Sequence, residues 1–445
     1  MRTLQRELYL TTTFFTLIAA PAFAQVPSPD ADSFRITVRE NRMKKNSRPL
    51  SLAALRFAGT GAEKGIPLIY VSGGSGAGTS AVRGARRPFF EALRELGDVV
   101  AFDIRGTGRS TPRLSCNVQL GLDMTVPLTR AALITATRGT NKRCADSLQA
   151  KGFDLSGYNA REVVADIDEL RRHLGAERIR LFGTSTGTHI VLEYVREHPE
   201  RVASVFLAGT EGPGQTAHLP GGMDTAVMTL AAGKPQIVEL MRSVFTTLDG
   251  SPVTVDVKGA KVGIGGYDVR VFVASTLGDR KQMAMLEPLF GAMKSGNYGN
   301  VAGLKLQALN QPFQSPWESL HDCQAGTSRA RHSQVEAEAK TALLGYATLD
   351  FEEACDGWGA RSLPETYRRP VRSAVPALFI SGTLDGRTPV ANADEVRKGF
   401  RNSAHLIVDG ASHGDDLFIS TPAILEAVLA FARRPYASVR RARAR

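Results

Sequence analysis

GTSTGTH, residues 183–189, lies between the apolar segment IRLF (179–182) and the segment IVLEYV (190–195). The first flanking segment has the composition of a buried strand, and the second has the pattern of a helix. Ser185 therefore stands between two glycines at a point where a strand passes directly into a helix. Clusters of Ser, Thr and Gly most often form ordinary turns. The alternative is a tight turn that presents Ser185 as a nucleophile, and the rest of the chain must decide between them.

Strand and helix patterns alternate on both sides of this turn. NAREVVADIDELRRHLGA (159–176) has apolar residues at helical spacing, with Asn159 as the expected N-cap and Gly175 just beyond the end. Strands alternating with helices predict an α/β fold with a mostly parallel, doubly wound sheet. Apolar runs that lead into glycine-containing loops are typical of buried parallel strands, and they occur at 66–74, 99–106, 202–209 and 375–386.

The alternation is interrupted once. Between about 213 and 370 the chain has helical segments, a glycine-rich stretch (KVGIGGYD, 261–268) and two cysteines, without a clear strand–helix order. We therefore predict an α/β core in two parts, residues 25–212 and 371–435, with an inserted, mainly helical cap domain at 213–370. The final segment, 436–445, is basic and is predicted to be a disordered tail.

The N terminus has the pattern of an export signal. Arg2 and Arg6 precede the apolar run LYLTTTFFTLIAA, which small residues follow at Ala22 and Ala24. This pattern predicts a signal peptide, residues 1–24, that is cleaved after Ala24. A membrane anchor is the alternative, but the run is shorter than the roughly 20 residues that span a bilayer. We expect an exported protein, periplasmic or secreted, with no integral membrane span after cleavage.

Export gives a context to the four cysteines. Cys116 and Cys144 lie in one segment, and Cys323 and Cys355 lie in another. Four cysteines allow three pairings, and two sequence-local disulfides are the simplest in an oxidising compartment. Each bond would stabilise the fold by roughly 3 kcal/mol in the chain-entropy model.

Composition and charge exclude some functions. The 445 residues are 43% hydrophobic and 22% charged, which is ordinary for a globular protein, and the formal net charge is +11. The excess positive charge is scattered along the chain, apart from the basic C-terminal segment. A solvated tail is the favoured interpretation of that segment, and binding to anionic envelope lipid is a weaker one. We find no nucleic-acid-binding motif and no cysteine or histidine spacing typical of zinc. No metal and no organic cofactor is expected, and the oligomeric state is not predicted.

Two residues farther along the chain can activate a serine. Asp385 follows the apolar strand ALFISG and His413 follows the strand HLIV, so both should lie at the carboxyl edge of the sheet, beside Ser185. A single loop histidine is more often only solvated, but the order Ser, Asp, His is that of a catalytic triad on this architecture. In this reading His413 is the base and Asp385 orients it. Three neighbouring carboxylates are rivals to Asp385: Asp409, Asp415 and Asp416.

Acyl transfer also requires donors for the oxyanion. The N–H of Thr186, directly after the nucleophile, is one expected donor. The other should come from SGGSGAG (72–78), where the N–H of Gly74 or Ser75 is well placed. A phosphate-binding loop is the alternative, but the Lys-Ser/Thr pair of such loops does not follow.

Taken together, these motifs resemble the α/β-hydrolase superfamily, and more narrowly the proline iminopeptidase and tripeptidyl aminopeptidase group of serine exopeptidases. The resemblance covers roughly residues 35 to 435. It implies a helical cap inserted before the Asp strand, and a peptidase that releases residues from the free N terminus of short peptides. The segments that carry it are GGSGAG (73–78), DIRGTGRS (103–110), GTSTG (183–187), SGTLDGRTP (381–389) and GASHG (410–414).

Two departures from that group widen the range of substrates. Ser75 replaces its usual proline in the glycine loop, and Thr186 replaces the usual aromatic residue after the nucleophile. A carboxylic ester hydrolase is therefore the alternative function, and a non-catalytic envelope protein that binds a ligand is a remote one. Asp103 and Arg105 in the DIRGTGRS segment are interpreted as a loop-bracing ion pair.

An aminopeptidase must also bind a free α-ammonium group, which a carboxylate does by charge-assisted hydrogen bonding. Glu211, in GTEGPG, follows a predicted core strand and is our candidate; a solvated loop glutamate is the alternative. Other carboxylates in the inserted segment cannot be ranked from the sequence: Asp224, Glu287, Glu318 and Asp356.

Overall fold

The computed structural model describes residues 31–61, 65–313, 316–347 and 352–445. The signal-peptide prediction, residues 1–24, lies outside the described residues. The strands, in chain order, are β1 (Ala31–Arg39), β2 (Pro49–Phe57), β3 (Leu68–Val71), β4 (Val99–Phe102), β5 (Ile179–Ser185), β6 (Val202–Thr210), β7 (Val253–Val257), β8 (Ala260–Ile264), β9 (Ala377–Gly382), β10 (Ser403–Asp409) and β11 (Ser438–Arg443).

The α-helices alternate with these strands in the core and fill most of the chain between β6 and β9. They are α1 (Gly78–Ala81), α2 (Arg87–Ala92), α3 (Arg130–Ala150), α4 (Ala160–His173), α5 (Thr186–Glu197), α6 (Pro220–Leu230), α7 (Gln236–Gly250), α8 (Gly266–Thr276), α9 (Arg280–Met283), α10 (Leu286–Lys294), α11 (Gly299–Leu309), α12 (Pro316–Ala325), α13 (Arg329–Glu338), α14 (Val390–Arg397), α15 (Asp416–Ile419) and α16 (Pro422–Arg433).

A nine-stranded sheet forms the centre of the molecule, in the order β1-β2-β4-β3-β5-β6-β9-β10-β11. β2 pairs antiparallel with β1 and β4, and every other neighbouring pair is parallel. The parallel strands β3, β4 and β9 are buried along their whole length, because helices cover both faces of the sheet. The predicted α/β fold with a mostly parallel, doubly wound sheet is confirmed.

Each face of the sheet has its own apolar cluster. One contains Ile167 of α4 and Ile190 of α5, and the other contains Phe418 of α15 and Phe431 of α16. The predicted N-cap of α4 is present, since the Asn159 side chain accepts a hydrogen bond from the N–H of Glu162. Burial on both faces fixes the positions of the loops at the carboxyl edge of the sheet.

The segment inserted between β6 and β9 contributes no strand to the central sheet. Its first part, residues 220–309, here called the outer half, includes the hairpin β7–β8 and has its own cluster around Met241 and Phe290. Its second part, residues 316–367, the inner half, packs Trp317 and Tyr367 into the main core cluster instead. The insertion is therefore held in two different ways, and KVGIGGYD (261–268) forms part of the hairpin and the start of α8.

The C-terminal segment differs from its prediction. Ser438–Arg443 forms β11, which pairs parallel with β10 over six residues, so the prediction of a disordered tail at 436–445 is wrong for this stretch. Arg441 also pairs with Asp409, at 2.6 Å. Arginines on β11 point into solvent while its backbone completes the sheet, and this is why the basic composition misled the prediction.

Asp103 and Arg105 do not form the ion pair that we expected. Asp103 accepts hydrogen bonds from Thr79 and from the N–H of Arg109. Arg105 is fully buried and donates two hydrogen bonds to Asp166 on α4. It also donates to the carbonyl oxygens of Glu40, Gly157 and Arg39. Each residue braces loops, as expected, but through separate partners.

Both sequence-local disulfides are present, Cys116–Cys144 and Cys323–Cys355, as predicted. The first joins a loop to α3 inside the main core cluster. The second joins α12 to the short 3₁₀ helix Glu352–Trp358 in the inner half. Within the described ranges, no helix combines the length and the apolar character that crossing a bilayer requires.

Candidate active site

Ser185 sits at the point where β5 ends and α5 begins. Its backbone has φ 55° and ψ −132°, a conformation that non-glycine residues rarely adopt. Such backbone strain costs of order 1–3 kcal/mol and clusters at functional sites. The flanking glycines are needed for close packing, because a Cβ on Gly187 would lie 2.2 Å from the Val71 carbonyl oxygen. One on Gly183 would lie 2.9 Å from the Gly187 carbonyl oxygen.

The glycine loop after β3 packs directly against this turn. A Cβ on Gly73 would lie 2.6 Å from the Ser185 Cβ and 3.1 Å from the Thr186 nitrogen, so only glycine fits there. Gly74 and Ser75, the next two residues, line a cavity together with Ser185. Thr186 is the first residue of α5 and is buried. The structure thus brings all three predicted oxyanion-donor residues to the Ser185 turn.

Asp385 and His413 lie in direct contact in the loops after β9 and β10. His413 Nδ1 donates a hydrogen bond to Asp385 Oδ2 at 2.7 Å. Thr388 donates its hydroxyl to the same oxygen, also at 2.7 Å, and the N–H groups of Arg387 and Thr388 donate to Asp385 Oδ1. The three rival carboxylates have other partners: Asp409 pairs with Arg441, Asp415 with Arg86, and Asp416 accepts from Ser412.

The environment of Asp385 keeps it ionised. Burial alone would raise the pKa of this carboxyl, whose side chain has no exposed surface. The charge of His413 and the hydrogen bonds from His413 and Thr388 outweigh burial, so the pKa of Asp385 is lowered. Because Nδ1 is bound to this carboxylate, Nε2 is the ring nitrogen that remains to exchange a proton.

Ser185 lines two cavities. The first, of about 350 Å³, is here called the acidic cavity because four carboxylates and one arginine line it with Ser185 and Thr186. The second, of about 410 Å³, is the loop cavity, and its lining includes the glycine loop, Ser185 and His413. Glu318 and Arg387 line both. The carboxylates of the acidic cavity are Glu211, Glu318, Asp322 and Glu352.

Buried histidines hold two of these carboxylates in place. His189 Nδ1 lies 3.2 Å from Glu211 Oε1, and His321 Nδ1 lies 2.9 Å from Asp322 Oδ1. Both rings are fully buried and pack edge to face, with 5.3 Å between their centroids. Burial, with the nearby His321, lowers the pKa of His189 well below its usual value. His189 is therefore neutral and donates Nδ1–H to the Glu211 carboxylate.

The four carboxylates that could not be ranked from the sequence differ in position: one lines the acidic cavity, and three do not. Glu318 belongs to the cavity wall, with Oε1 only 3.4 Å from the Cβ position of Gly74. The other three have partners elsewhere: Glu287 pairs with Lys234, Asp356 with Arg138, and Asp224 accepts from the N–H of Leu343.

Sequence reasoning missed Asp322 and Glu352, which also line the acidic cavity. Asp322 lies four residues after Glu318 on α12, a spacing that puts both on one helix face and that was a usable signal. Among the described residues, no group of three or more His, Cys, Asp or Glu side chains is arranged to hold a metal ion.

Two known proteins resemble part of this chain in sequence. The serine protease Hip1 of Mycobacterium tuberculosis is 30% identical over 171 residues, which are 37% of this chain and 32% of that protein. A proline iminopeptidase of Arabidopsis thaliana is 26% identical over 164 residues, 37% of this chain and 32% of that protein. Each alignment thus spans about a third of the relative's length.

Among solved structures, the chain matches others only at low overall similarity. A 2-hydroxy-6-oxo-6-phenylhexa-2,4-dienoate hydrolase from Rhodococcus has a TM-score of 0.40 and 17% identity, covering 91% of this chain and 99% of that one. The model of the alpha/beta hydrolase fold family matches residues 66–415, which is most of the chain. The chain therefore belongs to the α/β-hydrolase fold family, and part of it resembles the proline iminopeptidase group in sequence.

Proposed function

We propose that this protein is an exported serine hydrolase that releases residues from the free N terminus of short peptides. Ser185, His413 and Asp385 form the catalytic triad, and an acyl-enzyme is the intermediate. The observation that carries the proposal is the position of Ser185: it lies on a strained strand–helix turn, at the mouth of a cavity whose carboxylates outnumber its arginines. The 2.7 Å His413–Asp385 hydrogen bond supports the triad.

The first half-reaction transfers the acyl group to the serine. Ser185 Oγ attacks the scissile carbonyl carbon while His413 Nε2 accepts the hydroxyl proton. Asp385 stabilises the imidazolium that forms, through the bond to Nδ1. The N–H groups of Thr186 and of Gly74 or Ser75 stabilise the oxyanion. The C–N bond then breaks, and His413 passes its proton to the leaving nitrogen.

The second half-reaction restores the enzyme. A water molecule gives a proton to His413 Nε2 and attacks the acyl carbon, and the ester bond to Ser185 Oγ breaks. His413 returns the proton to Ser185. The products are a free carboxylic acid and a free amine, and the protein's own side chains supply every proton transfer.

The acidic cavity supports specificity for a free amino terminus. Glu211 is only 13% exposed, and the hydrogen bond from neutral His189 fixes its orientation. Glu318 approaches the same space from α12, on the side of the glycine loop. An α-ammonium group placed between such carboxylates forms charge-assisted hydrogen bonds, which an acetylated amine cannot form. We propose Glu211 and Glu318 as the ammonium-binding residues.

Export is part of the proposal. The pattern of residues 1–24 is that of a cleaved signal peptide. The two disulfides support it, because such bonds persist in oxidising compartments and are rare in the cytosol.

The experiment compares kcat/KM for an alanyl or prolyl arylamide with that for the same compound after N-acetylation. We expect the free amine to be preferred by at least about 100-fold, the effect of losing charged hydrogen bonds worth roughly 3 kcal/mol. Glu211→Gln and Glu318→Gln should each reduce that preference. Glu287→Gln is the matched control, since Glu287 pairs with Lys234 away from the cavity.

Ser185→Ala provides the blank, and Ser251→Ala, an exposed serine at the end of α7, is its control. Equal rates on both arylamides would reject the aminopeptidase proposal. Cleavage of a nitrophenyl ester with neither arylamide cleaved would identify an ester hydrolase instead. Failure of Ser185 to react with a fluorophosphonate would leave the non-catalytic, ligand-binding alternative.

A further inference from the structure

The two cavities beside Ser185 have opposite charge. In the acidic cavity, Glu211, Glu318, Asp322 and Glu352 face a single arginine, Arg387. The loop cavity is lined by three arginines and two carboxylates, Glu318 and Asp415. A substrate that passes Ser185 from one cavity to the other therefore meets negative side chains first and positive ones afterwards.

The position of His413 gives the direction of the substrate. His413 lines the loop cavity and does not line the acidic cavity. In the proposed mechanism this histidine protonates the leaving nitrogen, so the leaving part of the substrate must lie on the His413 side. Glu211 lines the acidic cavity only. The amino terminus is thus expected in the acidic cavity, and the chain after the scissile bond in the loop cavity.

Two of the three arginines in the loop cavity are available for a ligand. Arg86 is already neutralised by Asp415, at 2.5 Å, and it stacks over Phe418. Arg83 and Arg387, by contrast, have no carboxylate within 4.0 Å among the described residues. Burial and the nearby Arg109 lower the pKa of Arg83, and the charge of Asp103 opposes this shift only in part.

Arg387 is positioned by the outer half of the insertion. Its Nη2 donates to the Ser275 carbonyl oxygen at 3.4 Å, and its Nε lies 2.3 Å from the Cβ position of Gly278. Gly278 therefore leaves the space that the arginine stem occupies. The backbone N–H of Arg387 binds Asp385, which sets its Cα beside the catalytic loop. Arg387 lines both cavities.

We propose that the loop cavity is a binding site for a carboxylate on the leaving side of the substrate, with Arg83 and Arg387 as its ligands. This inference rests on the proposed function and names its substrate class: short peptides with an ammonium group before the scissile bond and a carboxylate closely after it. Arginine forms bidentate, charge-assisted hydrogen bonds with a carboxylate. The carboxylate belongs either to the C terminus of the peptide or to an acidic side chain.

The test uses peptides that share one free N-terminal residue and differ after the scissile bond. One pair ends in glycine with a free carboxylate or as the amide, and a second set has Glu-amide, Gln-amide or Lys-amide. We expect the free carboxylate, the Glu-amide or both to exceed their neutral partners in kcat/KM by about tenfold, the value of one charge-assisted contact. The preference should weaken as ionic strength rises.

Arg83→Gln and Arg387→Gln should each bring the ratio of carboxylate to amide substrate closer to one. Arg372→Gln, an exposed arginine outside both cavities, is the matched control and should leave the ratio unchanged. Fluorophosphonate labelling of each variant verifies that the site is folded. A preference within the glycine pair indicates that the site binds a C-terminal carboxylate. A preference for the Glu-amide over the Gln-amide indicates that it binds an acidic side chain.

Equal kcat/KM for the charged and neutral members of both peptide sets, a preference for the Lys-amide, or a ratio that both arginine variants retain would overturn the inference. The arylamide assay separates this failure from failure of the proposed function, because arylamides carry no leaving-side carboxylate. If the free-amine arylamide is cleaved and the peptides show no charge preference, only the leaving-side site is wrong. If no free-amine substrate is cleaved, both proposals fall.

Discussion

The outer and inner halves of the inserted segment differ in how they are held. The outer half has its own apolar cluster, built on α6–α11 and the hairpin β7–β8, and Leu343, Leu344 and Ala347 of the inner half also pack into it. The other described parts of the inner half are held differently: Trp317, Trp358 and Tyr367 belong to the main core, and the Cys323–Cys355 disulfide joins two of its elements.

Because of this difference, residues of the inner half can be held at fixed distances from the Ser185 turn. Three of the four carboxylates in the acidic cavity, Glu318, Asp322 and Glu352, come from the inner half. They sit on elements fastened to the same core that carries Ser185 and His413, so their distances to the turn are fixed by packing. Under the proposed function, the loops at the sheet edge would set the rate, and the inner half would chiefly provide substrate recognition.

The largest expected effect tests the rate part of this division. Asp385→Asn should reduce kcat about 10⁴-fold on every substrate, because the neutral side chain no longer holds His413 in the required tautomer. The ratio between free and acetylated arylamides should not change. Steady-state kinetics on both compounds measure the two quantities.

Asp409→Asn is the matched control for that variant. Asp409 is the last residue of β10; it pairs with Arg441 at the sheet edge and lines neither cavity. An activity loss in the Asp409 variant similar to that in the Asp385 variant would mean that the assignment of the triad carboxylate is wrong.

A smaller effect tests the recognition part. Replacing Cys323 and Cys355 by alanine should raise KM for the free-amine arylamide several-fold, because the bonded cysteines line the acidic cavity. It should also lower the free energy of unfolding by about 3 kcal/mol in the chain-entropy model. Kinetics and chemical denaturation under oxidising conditions give both numbers.

The other disulfide offers a close control. Cys116–Cys144 joins residues 28 apart and Cys323–Cys355 joins residues 32 apart, so the entropic stabilisation is nearly equal. Alanine at Cys116 and Cys144 should cost similar stability and leave KM unchanged. If both pairs altered KM alike, recognition would depend on overall stability and not on the inner half.

The smallest effect concerns the junction between the inner half and α5. Arg196 of α5 pairs with buried Glu193 and donates to the carbonyl oxygen of Tyr367 at 2.8 Å. Burial raises the pKa of Glu193 to about 7, from a model-peptide value of 4.5. Its folded-state pKa exceeds its unfolded one, so ionisation of Glu193 costs stability as pH rises from 4.5 to about 7.

Glu193→Gln removes that pH-dependent cost. The free energy of unfolding of the variant, relative to the wild type, should therefore increase by about 2 kcal/mol between about pH 5 and about pH 8. Chemical denaturation at each pH measures it, with Glu200→Gln, an exposed glutamate just after α5 that pairs with Arg201, as the control. A difference that stays constant with pH, or falls, would contradict this account of the junction.

The sequence allowed the core to be predicted in detail and the insertion only in outline. Buried parallel strands have continuous apolar runs, so their ends were readable, and Ser185, Asp385 and His413 each follow such an end. The insertion lacks a repeating pattern, and Asp322 and Glu352 reach the cavity only because of how the inner half folds back. Glu318 was named as a candidate but could not be ranked for the same reason.

Charge was the least reliable guide. Asp103 and Arg105 looked like partners because they are two residues apart, yet burial of Arg105 beside α4 gave it Asp166 instead. The alternation of arginine with alanine and valine near the C terminus was read as solvation. A strand whose side chains face water has the same composition, and only its pairing with β10 distinguishes the two.

That last strand protects the molecule against self-association. β10 is buried nearly throughout, and without β11 its backbone N–H and C=O groups would form an open, apolar sheet edge. Such edges template contacts between molecules, whereas charged side chains on an edge strand oppose them. We therefore expect the exposed Arg440, Arg441 and Arg443 to oppose aggregation at this edge. An affinity tag or a truncation placed at 436–445 would disturb a strand of the central sheet.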